Sequence, residues 1–275
     1  EETDYSNDNY PESSIGKRAF YGVQINSLEI HSSVFKIEEY AFAKLILPKN
    51  YILNIYATTI DAFAFSQCTP IHQLNIYSKN VYFHAFDGTK IDELTIDYKD
   101  KNYDKNDSPV ISIQAFYNLE IGSLTIGKEY VIEKSAFWNC KFGSKIDIND
   151  ATIGPYAFAD CQSDGCTLRI GNSDIGEYAL TNFKKINVLE FNGDSLAQNQ
   201  KTIGTRAFYG ASIINKEGLT IPAYISDVGD HAFASIDDLE PNSLILNCER
   251  LLTGSFYGCG KIKTFQLGNS LTDIQ

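Results

Sequence analysis

The sequence predicts a repeat solenoid: short coils stacked on one another, each giving one short strand to a parallel sheet, rich in β-structure with little helix. Three observations carry that prediction. An Ala-Phe pair returns about every two dozen residues, an aliphatic residue stands five positions before each pair, and an apolar-x-apolar triplet follows each pair. Self-similarity at such a period decides the architecture before any single element is assigned.

The Ala-Phe pairs end at Phe20, Phe42, Phe65, Phe86, Phe116, Phe137, Phe158, Phe208 and Phe233, and Leu180 and Phe256 close two degenerate copies. Successive anchors lie 22, 23, 21, 30, 21, 21, 22, 28, 25 and 23 residues apart. Five positions earlier stand Ile15, Ile37, Ile60, Val81, Ile111, Ile132, Ile153, Ile175, Ile203, Val228 and Leu251. Alanine lets the backbone turn tightly, and the phenylalanine ring fills the space between coils. Burying such a ring contributes about 1.5–3 kcal/mol.

The triplets begin at Leu28, Leu53, Leu74, Leu94, Leu124, Ile146, Leu168, Leu189, Leu219, Leu244 and Phe265. Their alternation marks a half-buried strand. One such strand cannot cover its own apolar side. Stacked on neighbours about 4.8 Å away, it shares a continuous core, and eleven copies span roughly 50 Å. The middle residue of each triplet is expected to point outward, a ladder running from Glu29, Asn54, Asn75 and Thr95 to Gln266.

The best copies read Ile15-Gly16-Lys17-Arg18-Ala19-Phe20, Ile153-Gly154-Pro155-Tyr156-Ala157-Phe158 with Cys161, and Ile203-Gly204-Thr205-Arg206-Ala207-Phe208. This pattern, followed by Leu-x-Ile, resembles the BspA-like leucine-rich repeats of bacterial and protist surfaces. The resemblance covers residues 15–275 and implies a curved, right-handed leucine-rich-repeat stack that works in adhesion or recognition at a cell surface or after secretion, without chemistry. Many copies lack the Gly and the Cys, a departure from strict regularity.

The organisation expected is an acidic segment or cap edge over residues 1–14, with five acids and no base, then a single domain of about eleven repeats over residues 15–275. The chain starts without a methionine, and residues 271–275 begin another repeat with Ile274 as its aliphatic residue, so a piece of a longer protein is expected. No apolar stretch approaches the ~18 residues of a membrane span. A net charge of −12 over 275 residues argues against nucleic acid as the partner. A protein partner is expected, with a glycan as the alternative.

Two steps are lengthened by inserts, at residues 97–109 and 192–202, both between a triplet and the next aliphatic residue, and thus on one edge. Such inserts either decorate a binding face or are tolerated loops. Asp100, Asn102 and Asp104 have calcium-loop spacing, but Lys105 replaces the glycine and no acid closes the loop. Asn106-Asp107-Ser108 is a glycosylation sequon weakened by Pro109. Cys68, Cys140, Cys161 and Cys259 all lie three after the anchor, where a cysteine acts as a small buried hydrophobe. A Cys161–Cys166 bridge stays open, and without a C-x-x-C pair zinc is not expected.

No nucleophile elbow, dinucleotide fingerprint or zinc-protease motif occurs, and residues 122–128 resemble a P-loop but place Glu129 where Ser or Thr is needed. His84 and His231 share the slot two before the anchor, which is a matter of repeat position. No catalytic residue, cofactor or metal is expected. The surface remains. One residue past each triplet, His31, Tyr56, Tyr77 and Asp97 follow one another from coil to coil, and Tyr56 and Tyr77 beside Asn54 and Asn75 make an aromatic-amide patch on the concave side. These six are the candidate ligand-binding residues. The competing reading is a tyrosine pair that only stabilises the sheet, and a structural spacer is the rival for the whole chain.

Overall fold

When like residues recur at one period, each coil lies best on the last, so that like sits on like. A computed structural model describes residues 13–98, 107–193, 200–236, 239 and 241–275. In it the chain is a parallel β-solenoid of about eleven turns, with no helix among the described residues. Ten of the eleven triplets form strands, but in two parallel sheets: seven strands from Ile52–Ile55 to Lys184–Phe191, and three more, Leu219–Ile221, Leu244–Leu246 and Phe265–Leu267; the first triplet, from Leu28, joins only through a bridge from Ile30 to Ile55. The aliphatic residues form a second ladder that the sequence reading did not assign. Its twelve strands run from Ser13–Ile15 to Asp273–Ile274, with Ile37 opposite Ile60 and Ile132 opposite Ile153. Buried backbone on that side also needs hydrogen-bond partners, and the adjoining coils supply them.

The third side is the Ala-Phe turn. The residues two before and two after every anchor have positive φ, as at Tyr156 and Asp160 around Phe158. The turn is hydrogen-bonded coil to coil: Phe137 N donates to Ala157 O at 2.8 Å and Phe158 N to Ala179 O at 2.7 Å. Both alanines are fully buried. Phe20, Phe42, Phe65, Phe86, Phe116, Phe137 and Phe158 form one stacked column with ring centroids 4.9–5.5 Å apart, buried from Phe42 onward and ended by the exposed Phe20. Leu180 interrupts it, and that same coil carries Phe183 in the cysteine slot, stacked 6.0 Å from Phe142. The lost ring volume is thereby recovered one step away.

The motif's two irregular positions are explained by what replaces them. Cys140 and Cys161 donate their thiols to the anchor carbonyls of the preceding coil, Phe116 O at 2.9 Å and Phe137 O at 3.0 Å. Thr89 makes the same bond to Phe65 O at 2.9 Å, so a hydroxyl substitutes. At the glycine slot, a Cβ on Gly154 would fall 2.5 Å from Ile132 O, and one on Gly229 would fall 2.7 Å from Gly204 C. Where the slot holds Glu38 or Glu133, the carboxylate accepts a backbone N–H from Lys17 (2.9 Å) or Ile113 (3.0 Å) instead.

Each insert is matched by a buried tyrosine in the following coil. Tyr130 is fully buried and donates to Ser78 O at 2.8 Å, and Tyr224 accepts from Gly193 N at 3.1 Å. These rings occupy the space beside the departing chain. Residues 99–106, which include the calcium-like Asp100, Asn102 and Asp104 and the sequon's Asn106, lie outside the described residues, as do residues 1–12 and 194–199.

Candidate functional site

The triplet register brings the expected residues together. Asn54 pairs with Asn75 and Ile55 with Ile76, so the next residues, Tyr56 and Tyr77, are also neighbours. Their rings stack at 4.7 Å with 10° between planes. Two residues earlier on the same strands, Asn75 Nδ2 donates to Asn54 Oδ1 at 2.8 Å. Tyr56 is 45% exposed. His31 and Asp97 flank the pair, since Ile30 bridges Ile55 and Asp97 N donates to Ile76 O at 2.9 Å. The four side chains thus form one column. His31 leans towards Glu29, with Nε2 and Oε2 3.6 Å apart. Asp97 lies over Gly127, where a Cβ would come within 2.3 Å of its Oδ1. That contact is the physical reason for glycine there.

One expectation is refined. Asn75, placed on the outward ladder, is only 8% exposed, hydrogen-bonded to Asn54 and to Gln73. The amide therefore offers little surface of its own. Further along the same face the ladder is charged: Lys145, Asp147, Arg169 and Glu190 connect in sequence, with Asp147 Oδ2 2.7 Å from Lys145 and Arg169 Nε 2.6 Å from Glu190.

Sequence reasoning missed a second aromatic surface on the Ala-Phe turns. The residue two before each anchor has positive φ, and at most anchors its side chain reaches the surface, the buried Ser135 being an exception; the same slot holds Arg18, Tyr40, Phe63, His84, Tyr156, Tyr178 and Arg206. Tyr40 stacks on Phe63 at 5.0 Å and Tyr156 on Tyr178 at 5.0 Å. Arg18 covers Tyr40 at 5.5 Å and Arg206 covers Tyr178 at 5.6 Å. The shared slot of His84 and His231 was the available signal. Only the turn geometry reveals that it faces solvent.

The titratable groups are placed structurally. All six thiols are free, including Cys161 and Cys166. Burial pushes the Cys68 thiol up to about 12 and Cys248 up to about 11, and raises Cys161 as well, leaving them protonated and unreactive. Burial also raises Asp150, but Lys128, the Asn172 N–H and Lys201 outweigh it and hold the carboxyl below its usual range. His84 Nδ1 lies 3.2 Å from Asp87 and His72 Nδ1 3.2 Å from Asp92. Among the described residues, no group of three or more His, Cys, Asp or Glu could hold a metal, and no helix is long and apolar enough to cross a membrane.

A family model described as BspA type leucine-rich repeat region matches this chain in six copies, over residues 6–106, 109–215 and 151–275. No curated protein and no solved structure matches it.

Proposed function

Because this chain belongs to the family of BspA-type leucine-rich repeat regions, we propose that it is a non-enzymatic recognition or adhesion module, secreted or held at a cell surface. It binds a protein ligand through the concave triplet face at Tyr56 and Tyr77, flanked by His31 and Asp97. Members of this family are associated with surface recognition, and solenoids of this kind typically serve as binding scaffolds. The observation that carries the reading is the stacked Tyr56–Tyr77 pair, with Tyr56 exposed and Tyr77 half-buried, beside a bonded amide pair. Rigid tyrosines give broad contact at small ordering cost, as at other recognition surfaces.

The test is saturable binding to a panel of purified extracellular-matrix proteins on a sensor surface, with the full chain and with Tyr56→Ala/Tyr77→Ala. A hot spot of about 2 kcal/mol weakens binding roughly 30-fold while the urea midpoint stays put. Unchanged binding would remove the pair from the interface. A collapsed midpoint would make it a sheet-stabilising pair instead, and the spacer reading would then stand.

A further inference from the structure

The column one residue after each anchor carries Trp138, Ala159, Thr181 and Tyr209 in successive coils. Two small side chains between two large rings leave a notch. Three coil steps put the ring-bearing backbones about 14 Å apart. The notch has a volume of about 590 Å³, within the range of ligand sites. Its end walls are Trp138 (36% exposed) and Tyr209 (37%), and Thr181 lines its floor next to the fully buried Ala159. Tyr156 and Tyr178 form one side, Asp160 and Asn182 the other.

The walls are held in place. Asp160 accepts from Trp138 Nε1 and from Asn182 Nδ2, both at 2.9 Å. Tyr156 and Tyr178 stack at 5.0 Å between two cations, Lys134 over Tyr156 at 5.9 Å and Arg206 over Tyr178 at 5.6 Å. Trp138 meets Tyr117 edge-on at 5.9 Å on the side away from the notch.

Two features decide the class of ligand. First, the rim's backbone N–H groups are already used: Trp138 N on Ser135 O, Asn139 N on Ala159 O, Asp160 N on Thr181 O and Asn182 N on Tyr209 O. A peptide finds no main-chain ladder to join. Recognition falls to rings, hydroxyls, an amide and a carboxylate, the groups that suit a sugar's C–H faces and hydroxyls. Second, charge is divided across the notch. Lys134 and Arg206 have no ion-pair partner among the described residues; Arg206 donates Nη1 to the Tyr178 hydroxyl, which holds it at the rim with its other N–H groups uncommitted to a carboxylate. On a chain of net charge −12 they form a local positive edge opposite Asp160. We infer that this notch binds a saccharide bearing a carboxylate, with the acid towards Lys134 and Arg206 and the hydroxyls towards Asp160 and Asn182.

The site is separate from the tyrosine pair on the triplet face and is tested separately. Trp138 is the one tryptophan of the chain, so its emission reports occupancy directly. The full chain is titrated with sialyllactose, a hexuronate oligosaccharide, lactose and an Asp/Glu-rich peptide, by fluorescence and calorimetry. One or both acidic sugars are expected to bind saturably and shift Trp138 emission, and the two arms identify the source of the carboxylate. Lactose should bind at least tenfold more weakly. Lys134→Glu and Tyr209→Ala should each cost about tenfold, whereas Tyr56→Ala/Tyr77→Ala changes nothing. Should Tyr209→Ala fail to fold, the surface variant Lys134→Glu decides. Equal affinity for lactose, tighter binding of the peptide, no binding of any acidic sugar, or indifference to Lys134→Glu would each overturn the assignment.

Discussion

Replacing Phe137 with alanine probes the axial ring column where it is best ordered. The ring is fully buried, 4.9 Å from both Phe116 and Phe158 with interplanar angles of 3° and 2°, and 6.5 Å from Phe142. Lost burial accounts for about 1.5–3 kcal/mol. Two stacked pairs add about 0.5–1.5 kcal/mol each, partly counted already in the burial. A rigid column cannot close the gap, so the cavity persists and the total comes to about 3–5 kcal/mol. Phe20→Ala is the comparison. Phe20 is 43% exposed and stacks only on Phe42, so its loss should cost less than about 1.5 kcal/mol. Both variants are followed by urea unfolding, using far-UV dichroism and the emission of the adjacent Trp138. With a slope near 3 kcal/mol/M, the Phe137→Ala midpoint falls by roughly 1 M or more. A shift below about 0.2 M at unchanged slope, or equal shifts for the two variants, would refute a shared load along the column.

Two further outcomes follow from buried polar groups. Tyr130→Phe keeps the ring but leaves Ser78 O without its donor, and should lower stability by about 1–3 kcal/mol in the same urea assay; no change would mean that water replaces the hydroxyl. Alkaline pH should also destabilise. The folded thiols of Cys68 and Cys248 hold their protons up to about 12 and about 11, whereas exposed thiols release them near 9.0. Their contribution is therefore complete below pH 9 and is lost as pH rises towards 11–12. Urea midpoints between pH 7 and 11 should fall less steeply in Cys68→Ala/Cys248→Ala than in the parent, and identical slopes would exclude these thiols.

Much of the architecture is legible in one dimension. The spacing from Ile132 to Phe137, repeated at every anchor, reflects the path from one side of a coil to the next, and a path repeated in register leaves a periodic trace. The triplet faces were legible for the same reason, because alternation is local. Legibility failed where a property depends on neighbours in the stack. Asn75 has the sequence of an outward residue, yet it is buried and bonded to Asn54 of the neighbouring coil. Loss of the cysteine at Thr89 looks like irregularity until its hydroxyl is seen on Phe65 O.

From the sequence alone came the period, the aliphatic and aromatic positions that share a core, the strand-forming triplets and the column His31, Tyr56, Tyr77 and Asp97. These depend on which residues recur at which offset. Tertiary structure alone decided that the aliphatic positions pair as a second sheet, that Tyr130 and Tyr224 fill the spaces beside the inserts, and that Trp138 and Tyr209 enclose a notch over Thr181. Residues up to 75 positions apart line that one notch because each coil adds only about 4.8 Å along the axis, a proximity that chain order does not display.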